Sequence, residues 1–87
     1  YLNNCKLTRK DFSNFSLYKA TLYKCFFDDS DFQNADLSGG DFRSSDFTRC
    51  DFQNTKLSFA DFGNSNFFAA NFENADSVSV LKFPRNL

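Results

Sequence analysis

Histidine, tryptophan and methionine are absent from this sequence of 87 residues, and proline occurs only once. The sequence has no histidine, no nucleophile–base pair, no Gly-rich phosphate loop and no cluster of metal ligands, so it predicts a non-enzymatic chain without a cofactor. One proline and three glycines are also too few for a fold built from hairpins. No sustained i, i+3, i+4 apolar pattern indicates helices.

The charges nearly cancel, with 10 basic and 11 acidic residues and a formal net charge of −1. A surface that binds nucleic acid would be clearly basic, so no nucleic-acid partner is expected. No apolar run is long enough for a membrane-spanning helix and no signal-peptide pattern opens the chain, so no membrane partner is expected either.

What the sequence has instead is an apolar residue at every fifth position. The series is unbroken over fifteen positions: Leu2, Leu7, Phe12, Leu17, Leu22, Phe27, Phe32, Leu37, Phe42, Phe47, Phe52, Leu57, Phe62, Phe67 and Phe72. A fixed period of this kind indicates a repeat architecture and outweighs local propensity. We call these positions the centre slots.

The slots beside each centre are patterned as well. Two residues before most centres stands a small residue, as at Ala35 and Ala60, and the residue directly before is usually Asp or Asn. This pattern predicts a coil with two inward side chains in every five. Asp and Asn suit the bends because their side chains bond nearby backbone groups.

These units resemble the pentapeptide-repeat family, whose unit is a small residue, Asp or Asn, Leu or Phe, and two variable polar residues. The segments 35–39, 60–64 and 70–74 fit it closely. The resemblance covers residues 1–76 and implies an all-β fold, a right-handed quadrilateral parallel β-helix of about four square coils.

The sequence checks the four sides independently, because residues also recur at a spacing of twenty. Leu17, Leu37 and Leu57 form one such column. A second consists of Asn14, Asn34, Asn54 and Asn74. A shift of fifteen destroys these matches, so each coil is expected to contain four units of five residues.

Both ends of the repeat depart from the pattern. After Asp76 a centre slot holds Ser77, and residues 77–87 contain apolar side chains that we expect to form a C-terminal cap over the last coil. Near the start, Lys10 and Phe15 occupy small-residue slots, which predicts a distorted first coil. The repeat is already in phase at Tyr1, so we expect a fragment of a longer bacterial protein whose targeting signal could lie elsewhere.

The cysteines all fall at small-residue slots. Their odd number and the lack of a CxxC pair favour neither a disulfide framework nor a zinc site. Cys5 and Cys25 lie one coil apart in the same column, within the range that a disulfide can span, but buried free thiols are the favoured interpretation. These unpaired cysteines are the basis for expecting a cytoplasmic protein.

One face of the predicted rod is acidic. It contains four negative charges and no Lys or Arg, so the other surfaces together have a net charge of about +3. Its charged members are Asp11, Asp31, Asp51 and Glu73, beside the Asn column and Gln33 and Gln53. The face is a candidate partner-binding surface, but bend formation and amide stacking along the rod would also explain its residues.

Aromatic side chains at outward slots form the second candidate surface, since exposed apolar groups often mark interfaces. They are Tyr18, Tyr23, Phe26, Phe59 and Phe68. We expect Tyr18 and Tyr23 to lie near one corner, close enough to share a contact.

The favoured function is a protein-interaction or scaffold module with an unidentified protein partner, a role that would suit a domain of a secreted effector. The resemblance brings one alternative, a DNA-mimicking inhibitor of a type II topoisomerase of the quinolone-resistance type, for which the acidic face is the only candidate surface. A purely structural filler is the other alternative.

Overall fold

The computed structural model describes residues 2–76 of the chain. The predicted capping segment, 77–87, lies outside the described residues. None of the described part forms a helix of the length and apolar character needed to cross a bilayer. The same part brings together no three His, Cys, Asp or Glu side chains that could hold a metal ion.

The chain winds into stacked coils that pair with one another every twenty residues. Strands β1 (Leu2–Asn3) and β2 (Leu22–Tyr23) pair in parallel, with Leu2 opposite Leu22. Isolated parallel bridges continue the same register on all four sides, from Lys6 with Phe26 to Lys56 with Asp76. The right-handed quadrilateral β-helix is therefore confirmed, with about four coils over residues 2–76.

Each side of a coil ends in the same tight turn. At most corners the backbone amide two residues before the next centre donates to the carbonyl of the preceding centre, as from Phe15 to Phe12 at 3.1 Å. At Lys10, Cys25 and Ser45 this amide donates to a serine hydroxyl of the next coil instead. The residue before that donor has a positive φ at every corner, with values from 56° to 69°. A type II turn requires this left-handed conformation at its third residue. We call this recurring position the left-handed slot.

The core is a stack of aromatic rings and leucines in columns. Every centre side chain from Leu22 to Phe67 is buried. Phe27 and Phe47 stack with centroids 4.9 Å apart, and Phe52 and Phe72 stack at the same distance. Neighbouring columns meet edge to face, as Phe47 meets Phe62 at 5.6 Å. Both arrangements are favourable for aromatic rings, so each Phe is held by coils on two sides and by adjacent columns.

The small slots do more than leave room for the rings. The Ser45 hydroxyl accepts a hydrogen bond from the amide of Cys25 at 3.0 Å and donates to the carbonyl of Leu22 at 3.1 Å. Ser30 and Ser65 bridge consecutive coils in the same way. Among residues 2–76, no buried side-chain nitrogen or oxygen lacks a partner. A hydroxyl here therefore satisfies buried backbone groups that burial would otherwise penalise.

The predicted distortion of the first coil was wrong. Residues 6, 11 and 16 pair with the second coil in register, and the left-handed slots at Arg9, Asn14 and Lys19 are in place. Lys10 and Phe15 are simply exposed, with the Phe15 ring packed edge-on to Phe12 at 5.7 Å. Within the described residues the first coil has a neighbour on one side only, so its small slots can admit large side chains.

Candidate functional site

The Asp and Asn residues that precede the centres hold the bends. An Oδ1 atom of each accepts a hydrogen bond from the backbone amide two residues later, at 2.9 Å for Asp31 and 3.0 Å for Asp51. The same bond occurs on the other faces, as at Asp46 and Asp61. Asn66 and Asn71 make it too, although an amide carries no charge. The bond therefore uses the side-chain oxygen and not the negative charge, and the turn also forms where Phe26 or Lys56 precedes the centre.

The acidic face brings together the residues that the sequence placed on it. Asp11, Asp31 and Asp51 are paired in one column through parallel bridges that continue to Asn71. The Oδ2 atoms of Asp31 and Asp51 accept hydrogen bonds from the side-chain amides of Gln33 and Gln53, at 3.4 and 3.0 Å. Bend formation accounts for the bonding oxygens of these side chains, although Asn would supply the same bond without a charge. Glu73 is exposed, and its charge is not explained by the turn.

The Asn column has a backbone explanation. Asn14, Asn34, Asn54 and Asn74 all occupy left-handed slots, with φ between 59° and 63°. Asn tolerates this conformation better than most residues because its short polar side chain bonds locally. Within residues 2–76 no hydrogen bond joins one of these amides to the next, so amide stacking is not what selects them.

The outward aromatic side chains are spread over three faces. Four of the five predicted residues are exposed, with Phe15 as an exposed aromatic that the prediction did not include. The exposed fractions are 58% for Tyr18, 48% for Phe26, 60% for Phe59, 64% for Phe68 and 52% for Phe15. Phe26 and Phe68 share one face, and Tyr18 and Phe59 share another.

Tyr23 is the exception, because it is half-buried. The Arg43 guanidinium lies over its ring at 5.3 Å, and the Lys24 ammonium lies at the same distance. Arg43 is itself held by two bonds to the carboxylate of Asp41, at 2.8 and 2.9 Å. No ring contact joins Tyr23 to Tyr18 in the described part of the chain, and that the two could share one partner's contact stays a prediction. Cation–π packing therefore accounts for Tyr23.

Phe59 is the least accommodated of the aromatic residues. It occupies a left-handed slot with a φ of 61°, although most such slots hold Asn, a charged residue or glycine. Its ring contacts no other ring among residues 2–76. On the same column, Gly39 lies between Phe59 and Lys19, and a Cβ there would approach the Lys19 Cγ atom to 3.2 Å. Between Tyr18 and Phe59, Gly39 has no side chain of its own, and the stem of Lys19 lies beside it.

The three cysteines are free and differ in burial. Cys50 is buried and its thiol donates to the carbonyl of Phe27 at 2.9 Å, in the place of a bridging hydroxyl. Burial raises the pKa of that thiol to about 12. Cys25 is also buried, whereas Cys5 in the coil above is only half-buried. The prediction of small, buried side chains is confirmed for Cys25 and Cys50.

With the geometry described, comparison with known proteins identifies the repeat. A family model for pentapeptide repeats matches residues 1–34, 16–49 and 45–76, in eight copies. The chain belongs to the pentapeptide-repeat family. No curated protein sequence matches it significantly.

One solved structure, that of HetL, supports the same fold. HetL, a pentapeptide-repeat protein involved in heterocyst differentiation regulation in the cyanobacterium Nostoc sp. strain PCC 7120, is 17% identical with a TM-score of 0.79. The match covers 86% of this chain and 37% of HetL. A thylakoid-lumen protein from Arabidopsis thaliana gives 22% identity and a TM-score of 0.43 over 82% of this chain and 60% of its own. Rfr23 from Cyanothece 51142 is 15% identical with a TM-score of 0.43, and the match covers 98% of this chain and 84% of Rfr23.

Measured against its family's unit, this pentapeptide-repeat protein is unusual at a few outward positions only. The unit leaves the two residues after each centre polar, yet Tyr18, Phe59 and Phe68 stand there. The turn bonds explain the side-chain oxygens of the acidic column but not their charge. Cation–π contacts account for Tyr23, and Tyr18 has one as well, with the Lys19 ammonium 5.4 Å from its ring. Phe59 and Phe68 are the exposed aromatic residues at these positions for which the fold supplies no structural reason.

The carboxylates of the turns predict how stability depends on pH. The Arg49 guanidinium holds the pKa of Asp29 below its usual value, and Arg43 does the same for Asp41. Burial opposes the shift at Asp36, but bonds from Ser38 outweigh it and its pKa is also lowered. A carboxyl with a lowered folded-state pKa stabilises the fold above its ordinary pKa near 3.8, and this contribution is lost as the pH falls through the folded-state value.

We therefore expect a thermal midpoint that is nearly constant from about pH 5 to 8 and falls below about pH 4. Circular dichroism melts over this range will measure it. The double variant Asp36→Asn and Asp41→Asn is the matched control, because Asn66 and Asn71 form the same turn without a charge. The variant should lose stability less steeply in acid, and an unchanged slope would contradict the role given to these two carboxylates.

Proposed function

We propose that this chain is a non-enzymatic protein-binding module and that it binds through the face formed by residues 16–20, 36–40 and 56–60. We call this the Tyr18–Phe59 face. The observation that carries the proposal is Phe59, a large aromatic residue in a left-handed slot whose ring is 60% exposed.

Phe59 lowers the stability of the free protein. A side chain of this kind in the left-handed region costs about 1–2 kcal/mol relative to a residue that accepts it. The exposed ring gains little from folding, because it remains in water. Strain of this type concentrates at sites of function, where a ligand that covers the ring would gain the burial that the fold does not.

The surroundings of Phe59 suit a flat partner. Tyr18 lies two coils away, roughly 9–10 Å by the spacing of β-strands. Between the two rings, Gly39 has no side chain of its own, and the stem of Lys19 lies beside it. A rigid rod loses little conformational freedom on docking, which favours affinity. The two aromatic rings would serve as the buried anchors that dominate protein interfaces.

The charges on this face indicate the partner's chemistry. Lys19 and Lys56 are both exposed, and neither forms an ion pair within 4.0 Å in the described part of the chain. In the bridge register Lys56 lies between Asp36 and Asp76, and Asp36 is partly buried in its turn. The proposed partner is therefore a folded protein that presents an apolar ridge edged by acidic side chains, since complementary charges favour encounter and register.

Substitution of Phe59 by Asn separates the stability of the module from its function. We expect Phe59→Asn to stabilise the fold by about 1 kcal/mol, which raises the thermal midpoint by roughly 4–8 °C. The reciprocal variant Asn54→Phe places the same ring in an equivalent slot and should lower stability by a similar amount. Differential scanning calorimetry will measure the thermal midpoints of both variants. A midpoint for Phe59→Asn at or below that of the wild type would contradict the assignment of strain.

The binding test uses the same substitution. The wild-type chain, the double variant Tyr18→Ser with Phe59→Asn, and a triple variant with Asn at positions 11, 31 and 51 are immobilised and exposed to a bacterial lysate. A partner retained by the wild type and the triple variant, but lost by the more stable double variant, is the expected result. Because the proposed partner has acidic side chains at its rim, added salt should weaken its capture.

The alternatives correspond to other outcomes of this test. A topoisomerase subunit that the triple variant loses, together with inhibition of DNA supercoiling by the wild type, would favour the DNA mimic. The acidic face is what supports that candidate, and its turns survive in the triple variant because Asn keeps the turn bond. If none of the three chains retains a protein, the structural filler is the better description.

A further inference from the structure

Two cysteines face each other across the first two coils of the rod. The register that pairs Leu2 with Leu22 and Asn3 with Tyr23 places Cys5 directly above Cys25. The backbone confirms the register on both sides of the pair, with 3.2 Å from the Asn4 amide to the Tyr23 carbonyl and 2.9 Å from the Phe26 amide to the Cys5 carbonyl.

The two thiols have the same orientation. Each Sγ atom is directed at the carbonyl two residues earlier, at 3.7 Å from Cys5 to Asn3 and 3.6 Å from Cys25 to Tyr23. Neighbouring strands are separated by about 4.7–4.9 Å, which lies inside the range of roughly 4.4–6.8 Å between the Cα atoms of a disulfide. We propose that Cys5 and Cys25 are a dithiol–disulfide pair, oxidised by a low-molecular-mass disulfide, that fastens the first coil to the second.

The difference in exposure between the two cysteines sets the order of events. Cys5 is half-buried, so a small disulfide can reach it, whereas Cys25 is fully enclosed. The Cys5 thiolate attacks one sulfur of the small disulfide, forms a mixed disulfide and releases one small thiol. The Cys25 thiolate then attacks the Cys5 sulfur and expels the second small thiol. Both cysteines are oxidised, the small disulfide is reduced to two thiols, and these take up the two protons.

The second step is the slower one. Burial raises the pKa of the Cys25 thiol; the Cys5 amide opposes that rise, while the charge and hydrogen bond of the Cys5 side chain add to it. Closure therefore needs opening of the first coil, which is the least enclosed part of the described chain, with no fully buried side chain from residue 2 to residue 20. Raising the pH should speed closure more than it speeds formation of the mixed disulfide.

Cys50 supplies an internal control. It lies on another face, in a column with Ser30 and Ala70, so the register holds it away from Cys5 and Cys25. Its thiol is buried and already donates to the Phe27 carbonyl. The structure thus singles out one of the three pairings that three cysteines allow.

The test is oxidation of the folded 87-residue chain by oxidised glutathione at about pH 8, near the ordinary pKa of a thiol. We expect the chain to lose the mass of two hydrogen atoms. Trypsin should then release peptide 1–6 joined to peptide 25–43, with peptide 50–56 still carrying a free thiol. The thermal midpoint should rise by roughly 10 °C because the bond closes a loop in the unfolded chain, and a reductant should reverse the change.

Two variants and one condition make the result decisive. Cys5→Ser should lose both the cross-link and the rise in midpoint, and it is compatible with the fold because Ser45 and Ser65 occupy the same column. Cys50→Ser should retain both. Accumulation of a glutathione adduct on Cys5 without closure would overturn the proposal. So would a link to peptide 50–56, or the same mixture of links from a chain unfolded in guanidinium.

Discussion

Truncation of Phe47 to alanine is expected to cost about 3–5 kcal/mol of folding free energy, a large share of the roughly 5–15 kcal/mol that stabilises a small domain. Phe47 is fully buried and stacks between Phe27 and Phe67, at 4.9 and 5.1 Å between centroids. The rings of Phe42 and Phe62 also pack against it. Its removal leaves a cavity that rigid coils on both sides cannot close.

Thermal and urea melts of Phe47→Ala and Phe47→Leu will measure this cost. The alanine variant should melt more than about 12 °C below the wild type. Leucine should cost much less, about 1–2 kcal/mol, because Leu37 and Leu57 fill the equivalent slot with no exposed surface. A loss below about 1 kcal/mol for the alanine variant would show that the stack is not the source of stability.

The effect of a deletion on stability should depend on whether it removes a whole coil, and not on how many residues it removes. Removing Asn34 alone takes out a left-handed slot and leaves one corner of the second coil a residue short. If the chain beyond it shifts by one position, Asp36 falls at a small slot and Leu37 at a turn slot. Register is set by which side chains are buried, so we expect no cooperative unfolding transition.

Removing residues 31–50, a whole coil, should be better tolerated than removing one residue. Residues 51–76 would then stack on 11–30 with every column intact, so that Asp51 would take the place of Asp31 above Asp11. The shorter rod should still melt cooperatively, at a lower temperature because one interface between coils is missing. Circular dichroism of both deletions tests this, and a cooperative wild-type-like melt after deletion of Asn34 would show that register is only local.

Much of the fold was predictable because one physical requirement repeats. A centre side chain must be large and apolar wherever coils stack, so Phe and Leu recur every five residues. The spacing of twenty in the Asn column predicted four sides to a coil. The ability of Asp36 and similar residues to bond the nearby backbone predicted the bends. These are local demands of a single turn, and each unit displays them again.

The rest depended on contacts between units that no period reveals. Nothing in the spacing of Ser45 indicates that its hydroxyl bridges two coils. Tyr23 is half-buried because Arg43, one coil further along the chain, lies over its ring. The strain at Phe59 required the dihedral angle of its slot. For the candidate sites, the same limit applies: the acidic column and the bonding of its side chains at the bends were predictable from the sequence, but the cation–π contacts of Tyr18 and Tyr23 were not.

The hydrogen bonds between coils also determine how the rod would respond to force. They run from one coil to the next and therefore lie along the axis of the rod, as in the bond from the Phe27 amide to the Asp46 carbonyl at 2.7 Å. Tension applied between the two ends of the chain would load the outermost coil alone. Each coil of twenty residues would peel off in turn and release roughly 65–70 Å of extended chain. The molecule is stiff against a partner pressed on its side and yet weak against a pull at its ends.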